Sequence, residues 1–271
     1  MKNLQGRVVF LTGASSGIGE ALAREYAKRG AHLVLLARRA DVIDRLVREI
    51  STEESRAIAL SCDVTVDGDL ERAAEKARKE FERIDIVIAN AGFGVNGLVE
   101  DLSLEDYRRQ FETNVYGVLR TLKATVGDLK KSKGRFVIVG SVSGHVATPT
   151  TSAYAMSKFA VRALADSLRA EIKREGISVT HISPGFIKTD IRRVDNRGKV
   201  HPQAKDPVPA WLQMPADKAA RKIIRAVAGR RRERILTFHG WLGVWLQNHV
   251  PGFISWVLAK SPVKARTEGL N

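Results

Sequence analysis

The chain has 271 residues, is 44% hydrophobic and 28% charged, and so has the balance of a globular protein with a sizeable core. Its one cysteine, Cys62, excludes an intramolecular disulfide and reads as a small packed residue rather than a nucleophile. The net charge of +15 favours anionic partners, but the basic residues are spread out except at Arg230, Arg231, Arg232 and Arg234. No compact nucleic-acid signature accompanies that run, so nucleic acid is not expected as a partner. The opening MKNLQGRVVFLTG lacks the apolar run of a signal peptide, and no stretch reaches the ~18 apolar residues of a membrane span. A cytoplasmic location is therefore expected.

Short apolar tracts at 7–12, 32–37, 56–61, 84–89, 135–140 and 177–183 read as strands buried on both faces. Amphipathic patterns near 17–29, 41–54, 67–82, 103–130 and 152–175 alternate with them and read as helices. This order predicts an α/β fold, a doubly wound parallel sheet with helices on both faces. Ligands in such sheets bind outside the carboxyl ends of the strands. Residues 188–215 carry four prolines and six cations and read as a long substrate loop with short helices. A helix near 216–229 and a strand near 233–238 return the chain to the sheet. Residues 1–238 are thus expected to form one catalytic domain, and 239–271 an aromatic-rich extension.

TGASSGIG (12–19) follows the first strand and opens a helix. Gly13, Gly17 and Gly19 would allow a tight turn, approach of a pyrophosphate and close helix–strand packing, and the helix N-terminus favours phosphate. At the end of the second strand, Ala37 stands where an acid would hold the ribose hydroxyls of NAD, and Arg38 and Arg39 follow. A guanidinium clamps a 2′-phosphate that an acid would repel, so NADP(H) is expected, chiefly through Arg38. Tyr154 and Lys158 lie four residues apart and would share one helical face, where a cation can lower the pKa of a phenol.

With TGASSGIG, the NAG at 90–92, Ser141, and Tyr154 with Lys158 in that order, the chain resembles the short-chain dehydrogenase/reductases over roughly residues 6–190. The resemblance implies a Rossmann-like sheet of about seven strands, a nicotinamide cofactor and a catalytic set of Asn114, Ser141, Tyr154 and Lys158. Tyr154 would be the general acid/base, Lys158 would lower its pKa and bind ribose, and Ser141 would polarise the substrate oxygen. Asn114 would hold a water in a relay to Lys158. The implied cofactor site runs through Gly13, Ser15, Ser16, Gly17, Ile18 and Gly19, then Arg38 and Arg39. It continues through Asp63 and Val64 at the adenine, Asn90, Ala91 and Gly92, Tyr154 and Lys158, and Pro184, Gly185, Ile187 and Thr189. The family often carries a basic residue at the place of Ser16, so the preference for NADP(H) rests on Arg38 and Arg39.

The substrate is expected to be a largely apolar ketone or secondary alcohol, held by Phe93, Val142, Ser143, His145, Phe186 and the 188–215 loop. No metal site is expected. Trp241, Trp245 and Trp256 lie in the extension, flanked by Lys260, Lys264 and Arg266. Residues 239–266 could pack on a partner subunit of a dimer or tetramer, cap the substrate cavity, or lie in a membrane interface. The alternative functions are a catalytically silent nucleotide-binding scaffold and a peripheral membrane lipid carbonyl reductase.

Overall fold

The computed structural model describes residues 4–201 and 203–260. Lys264, Arg266 and Pro202 lie outside the described residues. Seven strands form one sheet: β1 (Val8–Thr12), β2 (His32–Ala37), β3 (Ala57–Ser61), β4 (Ile86–Ala89), β5 (Arg135–Val139), β6 (Ser178–Ser183) and β7 (Glu233–Ile235). Their order is β3-β2-β1-β4-β5-β6-β7, and every neighbouring pair is parallel. The helices are α1 (Gly17–Ala27), α2 (Ala40–Ile50), α3 (Asp69–Phe81), α4 (Leu104–Phe111), α5 (Gly117–Ser132), α6 (Ser152–Glu171), α7 (Ala216–Ala228), α8 (Phe238–His249) and α9 (Pro251–Lys260). This is the expected Rossmann-like sheet.

Strand residues alternate between two cores because successive side chains leave opposite faces of the sheet. Val9, Leu11, Leu33 and Leu35 pack with Leu22 and Tyr26 of α1, Ile43 and Leu46 of α2, and Ile223 and Val227 of α7. Val8, Phe10, Val34 and Leu36 pack with Leu70 and Ala74 of α3, Leu129 of α5, and Val161 and Ala165 of α6. Both faces are covered, which is why the strands read as continuous apolar runs. The chain leaves β1 toward β2 and β3, then crosses back to β4 on the other side of β1. That reversal opens a crevice at the carboxyl ends of β1 and β4.

Two elements differ from the sequence reading. The 103–130 pattern is two helices, α4 and α5, joined by a π-helical turn at Glu112–Tyr116. The turn is anchored by Asn114, whose amide bonds to the loop after β4, and by Gly117, where a Cβ would stand 2.8 Å from the Val64 side chain. The seventh strand stops at Ile235 because Thr237 caps α8, its hydroxyl accepting from the Gly240 N–H. The 188–215 loop holds two short 3₁₀ turns, Asp190–Arg193 and Ala210–Leu212, and is tied down by bridges Ile187–Met214 and Val194–Val200.

Candidate active site

A cleft of about 640 Å³ lies over the carboxyl ends of the strands. Its floor is the turn between β1 and α1, where three glycines meet three separate constraints. Gly13 has φ +67° and its Cβ would stand 2.8 Å from the Ala91 backbone. Gly17 has φ +58° and faces the Thr189 methyl at 2.9 Å. At Gly19 a Cβ would fall 2.1 Å from the Gly13 carbonyl oxygen, so only glycine lets the helix sit on its own turn. Asn90 locks the turn to β4: its side-chain amide donates to the carbonyls of Thr12 (3.1 Å) and Gly13 (3.0 Å). Ser16 precedes α1 without capping it by its side chain, so the orphan N–H groups of the first turn are left for an anion.

At the far end of the cleft, Asp63 accepts from the Thr65 backbone N–H (2.9 Å) and hydroxyl (2.8 Å). Arg39 donates to the Ser15 hydroxyl at 3.0 Å, across the glycine turn. Arg38 is exposed, lines the cleft and has no partner among the described residues; a Cβ on Gly198 of the loop would stand 3.9 Å from its guanidinium. These residues suit a dinucleotide: a glycine cradle for the pyrophosphate, a carboxylate for the base, and an uncommitted guanidinium.

The other end holds the proposed catalytic groups. Ser141 follows β5, and its hydroxyl stands beside the Tyr154 phenol of α6, near enough to oppose the rise of the phenol pKa. Burial raises the phenol pKa, while the Ser141 hydroxyl and the Arg192 charge act against that rise. Lys158 is buried one turn further along α6, and its ammonium donates to the Val139 carbonyl at 3.0 Å. It stands over the Tyr154 ring, 5.6 Å from the centroid. Burial pushes its pKa down to about 8. The charge that acts on the phenol here is Arg192, which the sequence reading did not single out. Arg192 is fixed by Asp206 (2.7 and 2.6 Å) and by the Ile187 carbonyl (3.1 Å). The sequence signal for it was an arginine–aspartate pair inside the loop, fourteen residues apart.

Asn114 is buried and does not line the cleft. Its side chain takes the Phe93 N–H (3.2 Å), donates to the Phe93 carbonyl (3.0 Å) and reaches the Ser157 hydroxyl (3.1 Å). It therefore positions the loop after β4. Ser15, Ser16, Ile18, Val64, Ala91, Gly92, Pro184, Gly185, Ile187 and Thr189 all line the cleft, as do Ile191, Val194, Arg197 and Val200 of the 188–215 loop and the unpredicted Cys62, Thr65, Arg109 and Thr113.

Of the expected substrate contacts, Phe93 lines the cleft, whereas Val142, Ser143, His145 and Phe186 do not. Val142 instead packs beneath α8, where a Cβ on Gly240 would stand 2.7 Å from its methyl. Ser143 lies in a 3₁₀ turn, its N–H donating to the Ser141 hydroxyl at 3.0 Å. His145 turns into the interior and pairs with Glu233 (2.9 Å), which also takes His181 (3.1 Å) and the Ser183 hydroxyl (3.1 Å). Burial would raise the Glu233 pKa, but the two imidazoles hold it well below the usual carboxylate range. Phe186 stacks on His239 at the start of α8, with centroids 5.2 Å apart. Among the described residues, none beyond Val200 lines the cleft.

The family model for short chain dehydrogenase matches residues 7–199. Over 273 residues the chain is 32% identical to dehydrogenase/reductase SDR family member 7B of Bos taurus, covering 97% of this chain and 83% of that protein. It is 32% identical over 270 residues to 11-beta-hydroxysteroid dehydrogenase A of Sesamum indicum, covering 94% of this chain and 75% of that protein. An alcohol dehydrogenase from the archaeon Thermococcus sibiricus, complexed with 5-hydroxy-NADP, superposes with a TM-score of 0.75 at 29% identity, over 85% of this chain and 95% of that one. A short-chain dehydrogenase/reductase from Burkholderia phymatum, in complex with NAD, shares the fold with a TM-score of 0.82 at 23% identity, over 97% and 99%. The chain therefore belongs to the short-chain dehydrogenase/reductase family, a family of oxidoreductases.

Proposed function

We propose that the chain is an NADP(H)-dependent oxidoreductase that transfers hydride between the nicotinamide and a largely apolar ketone or secondary alcohol. The observation that carries the reading is the meeting of two hydroxyls, Ser141 and Tyr154, in the same cleft as the glycine turn. A carbonyl oxygen bonded by both is polarised as negative charge develops on it. The bound nicotinamide supplies or accepts the hydride at the carbon. Tyr154 then gives its proton to the developing alkoxide in reduction, or takes it in oxidation. Lys158 lies close enough to stabilise the phenolate that reduction leaves behind. Asn114 acts through Phe93, keeping the wall of the substrate end in place.

Arg38 supports NADP(H), because it alone of the two arginines after β2 is free to take a 2′-phosphate while Arg39 holds Ser15. The printed ligands of the two related structures differ, one an NADP derivative and the other NAD, so this preference rests on Arg38. The sesame relative is named for a steroid alcohol, which supports an apolar substrate, as does Phe93 on the wall.

Residues 1–238 act as one catalytic domain and 239–271 as the extension, with α8 crossing that boundary. Exposed Tyr116, Met156 and Phe159 support assembly into a dimer or tetramer in the cytoplasm, measured by light scattering. The reaction is tested by screening ketones and secondary alcohols with each nicotinamide cofactor. Turnover with NADPH that Tyr154→Phe reduces by about 10²–10⁴ supports the reading. Turnover unchanged in that variant refutes it.

A further inference from the structure

The last two helices present apolar surface outward. On α8, Phe238, Trp241, Leu242 and Trp245 fall at positions i, i+3, i+4 and i+7, a single stripe. In an ordinary surface helix such a stripe would face the core. Here all four are exposed, Phe238 at 75%, and the helix is held to the body by its other side. Gly240 packs under it against Val142, and Val244 is buried. Helix α9 has no buried residue at all, and exposes Phe253, Trp256 and Val257. The rings form pairs along the surface: Phe238 with Trp241 at 5.9 Å, and Phe253 with Trp256 at 6.2 Å.

Charge indicates what covers this surface. From Arg234 to Lys260 the chain has no Asp or Glu. Lys260 stands 4.2 Å over the Trp256 ring, an ammonium set at the end of an aromatic face. Arg231 and Arg234 are exposed and have no partner among the described residues. The whole chain carries +15, so a second copy would bring like charge to the same place, whereas an anionic bilayer brings the opposite sign. Tryptophan and cations together suit the headgroup boundary, where a ring can bury its body and keep its N–H wet. No helix among the described residues is long and apolar enough to cross a membrane, so the contact lies in the plane of the interface.

We propose that α8 and α9 form a docking surface for an anionic lipid bilayer, with Phe238, Trp241, Trp245, Phe253 and Trp256 inserted to headgroup depth. The surface also lies next to the reaction end of the cleft. His239 of α8 accepts from the Phe186 N–H at 3.3 Å, and Phe186 sits between the cleft residues Gly185 and Ile187. A docked molecule would hold that end of the cleft near the lipid. The docking itself does not depend on the reaction.

The test is sedimentation of the full chain with vesicles of phosphatidylcholine alone, or of phosphatidylcholine mixed with phosphatidylserine, at low and high salt. Two double variants, Trp241→Ser with Trp245→Ser and Phe253→Ser with Trp256→Ser, are compared with the wild type. NADPH binding is followed in each as a check on folding. The proposal predicts binding to the mixed vesicles that salt weakens, that phosphatidylcholine alone reduces, and that each double variant lowers by about tenfold or more with NADPH binding retained. No sedimentation of the wild type, equal binding to both vesicles, or full binding by the double variants overturns it. Light scattering on the same samples decides the rival occupant: a dimer that the tryptophan variants dissociate, with no vesicle binding, assigns the surface to a second copy.

Discussion

A buried lysine with no carboxylate beside it is costly, and Lys158→Met measures that cost. Lys158 is 6% exposed, and its pKa falls from 10.5 to about 8 through burial alone. Keeping it protonated in the folded chain at pH 7 therefore costs about 3 kcal/mol relative to the unfolded chain. Methionine has a similar shape and removes that cost, but it also removes the bond to the Val139 carbonyl, worth roughly 1 kcal/mol. The net expectation is a variant more stable by about 2 kcal/mol at pH 7, a rise in Tm of about 5 °C for a chain of this size. The sign follows from linkage. Below pH 8 both states hold the proton and the cost is complete. Between about 8 and 10.5 the unfolded chain binds more protons, so wild-type stability rises with pH relative to the variant. Above that range both states are neutral and the advantage of the variant is gone. Urea unfolding at pH 7 and pH 10.5, without cofactor, measures both limits, and turnover should be lost at either pH. A variant no more stable than wild type at pH 7, or one with the same gain at both pH values, refutes the reasoning.

Gly19→Ala places a methyl group 2.1 Å from the Gly13 carbonyl oxygen, so the turn must shift; calorimetry should show cofactor binding lost while circular dichroism keeps the helical signal. Glu233→Gln removes a carboxylate whose pKa burial would raise but the imidazoles of His145 and His181 hold down. Its contribution is present above the carboxylate range and lost as pH falls, so the Tm deficit of the variant should be largest near neutral pH and shrink in acid. Arg192→Ala frees Asp206 and the segment at Ile187 and also removes the charge that opposes the rise of the Tyr154 pKa; steady-state kinetics should show KM raised and the pH profile of kcat displaced to higher pH.

The sheet was legible in the sequence because a strand covered on both faces is apolar along its length, and β1, β2 and β4 leave such a run, whereas β3 is a half-buried edge strand and β6 carries Ser178, Thr180, His181 and Ser183. The glycine turn was legible for the same kind of reason: Gly13 and Gly17 need positive φ, and that demand writes itself into residue type. Order along the chain also placed Ser141, Tyr154 and Lys158, whose meeting depends on β5 and α6 lying side by side. The expected substrate residues show the limit. Ser143 and His145 follow Ser141 closely, yet the 3₁₀ turn at Val142–Gly144 sends the chain inward, and His145 finds Glu233 on a strand far along the sequence. Spacing carries no trace of that partner. The break between α4 and α5 was hidden because a π turn keeps helical periodicity while changing which side chain faces the β4 loop. The role of Arg192 depends on how the 188–215 loop folds back to Asp206, and loop geometry follows from tertiary contacts that local pattern does not encode.

The central claim is a nicotinamide site that selects NADP(H) through Arg38. Titration calorimetry of NADPH and NADH against the wild type and Arg38→Ala addresses it directly. The account predicts tighter binding of NADPH by the wild type, a loss of about 10–100-fold for NADPH in Arg38→Ala, and NADH binding unchanged. Preference for NADH, or an NADPH preference that survives the substitution, would contradict it.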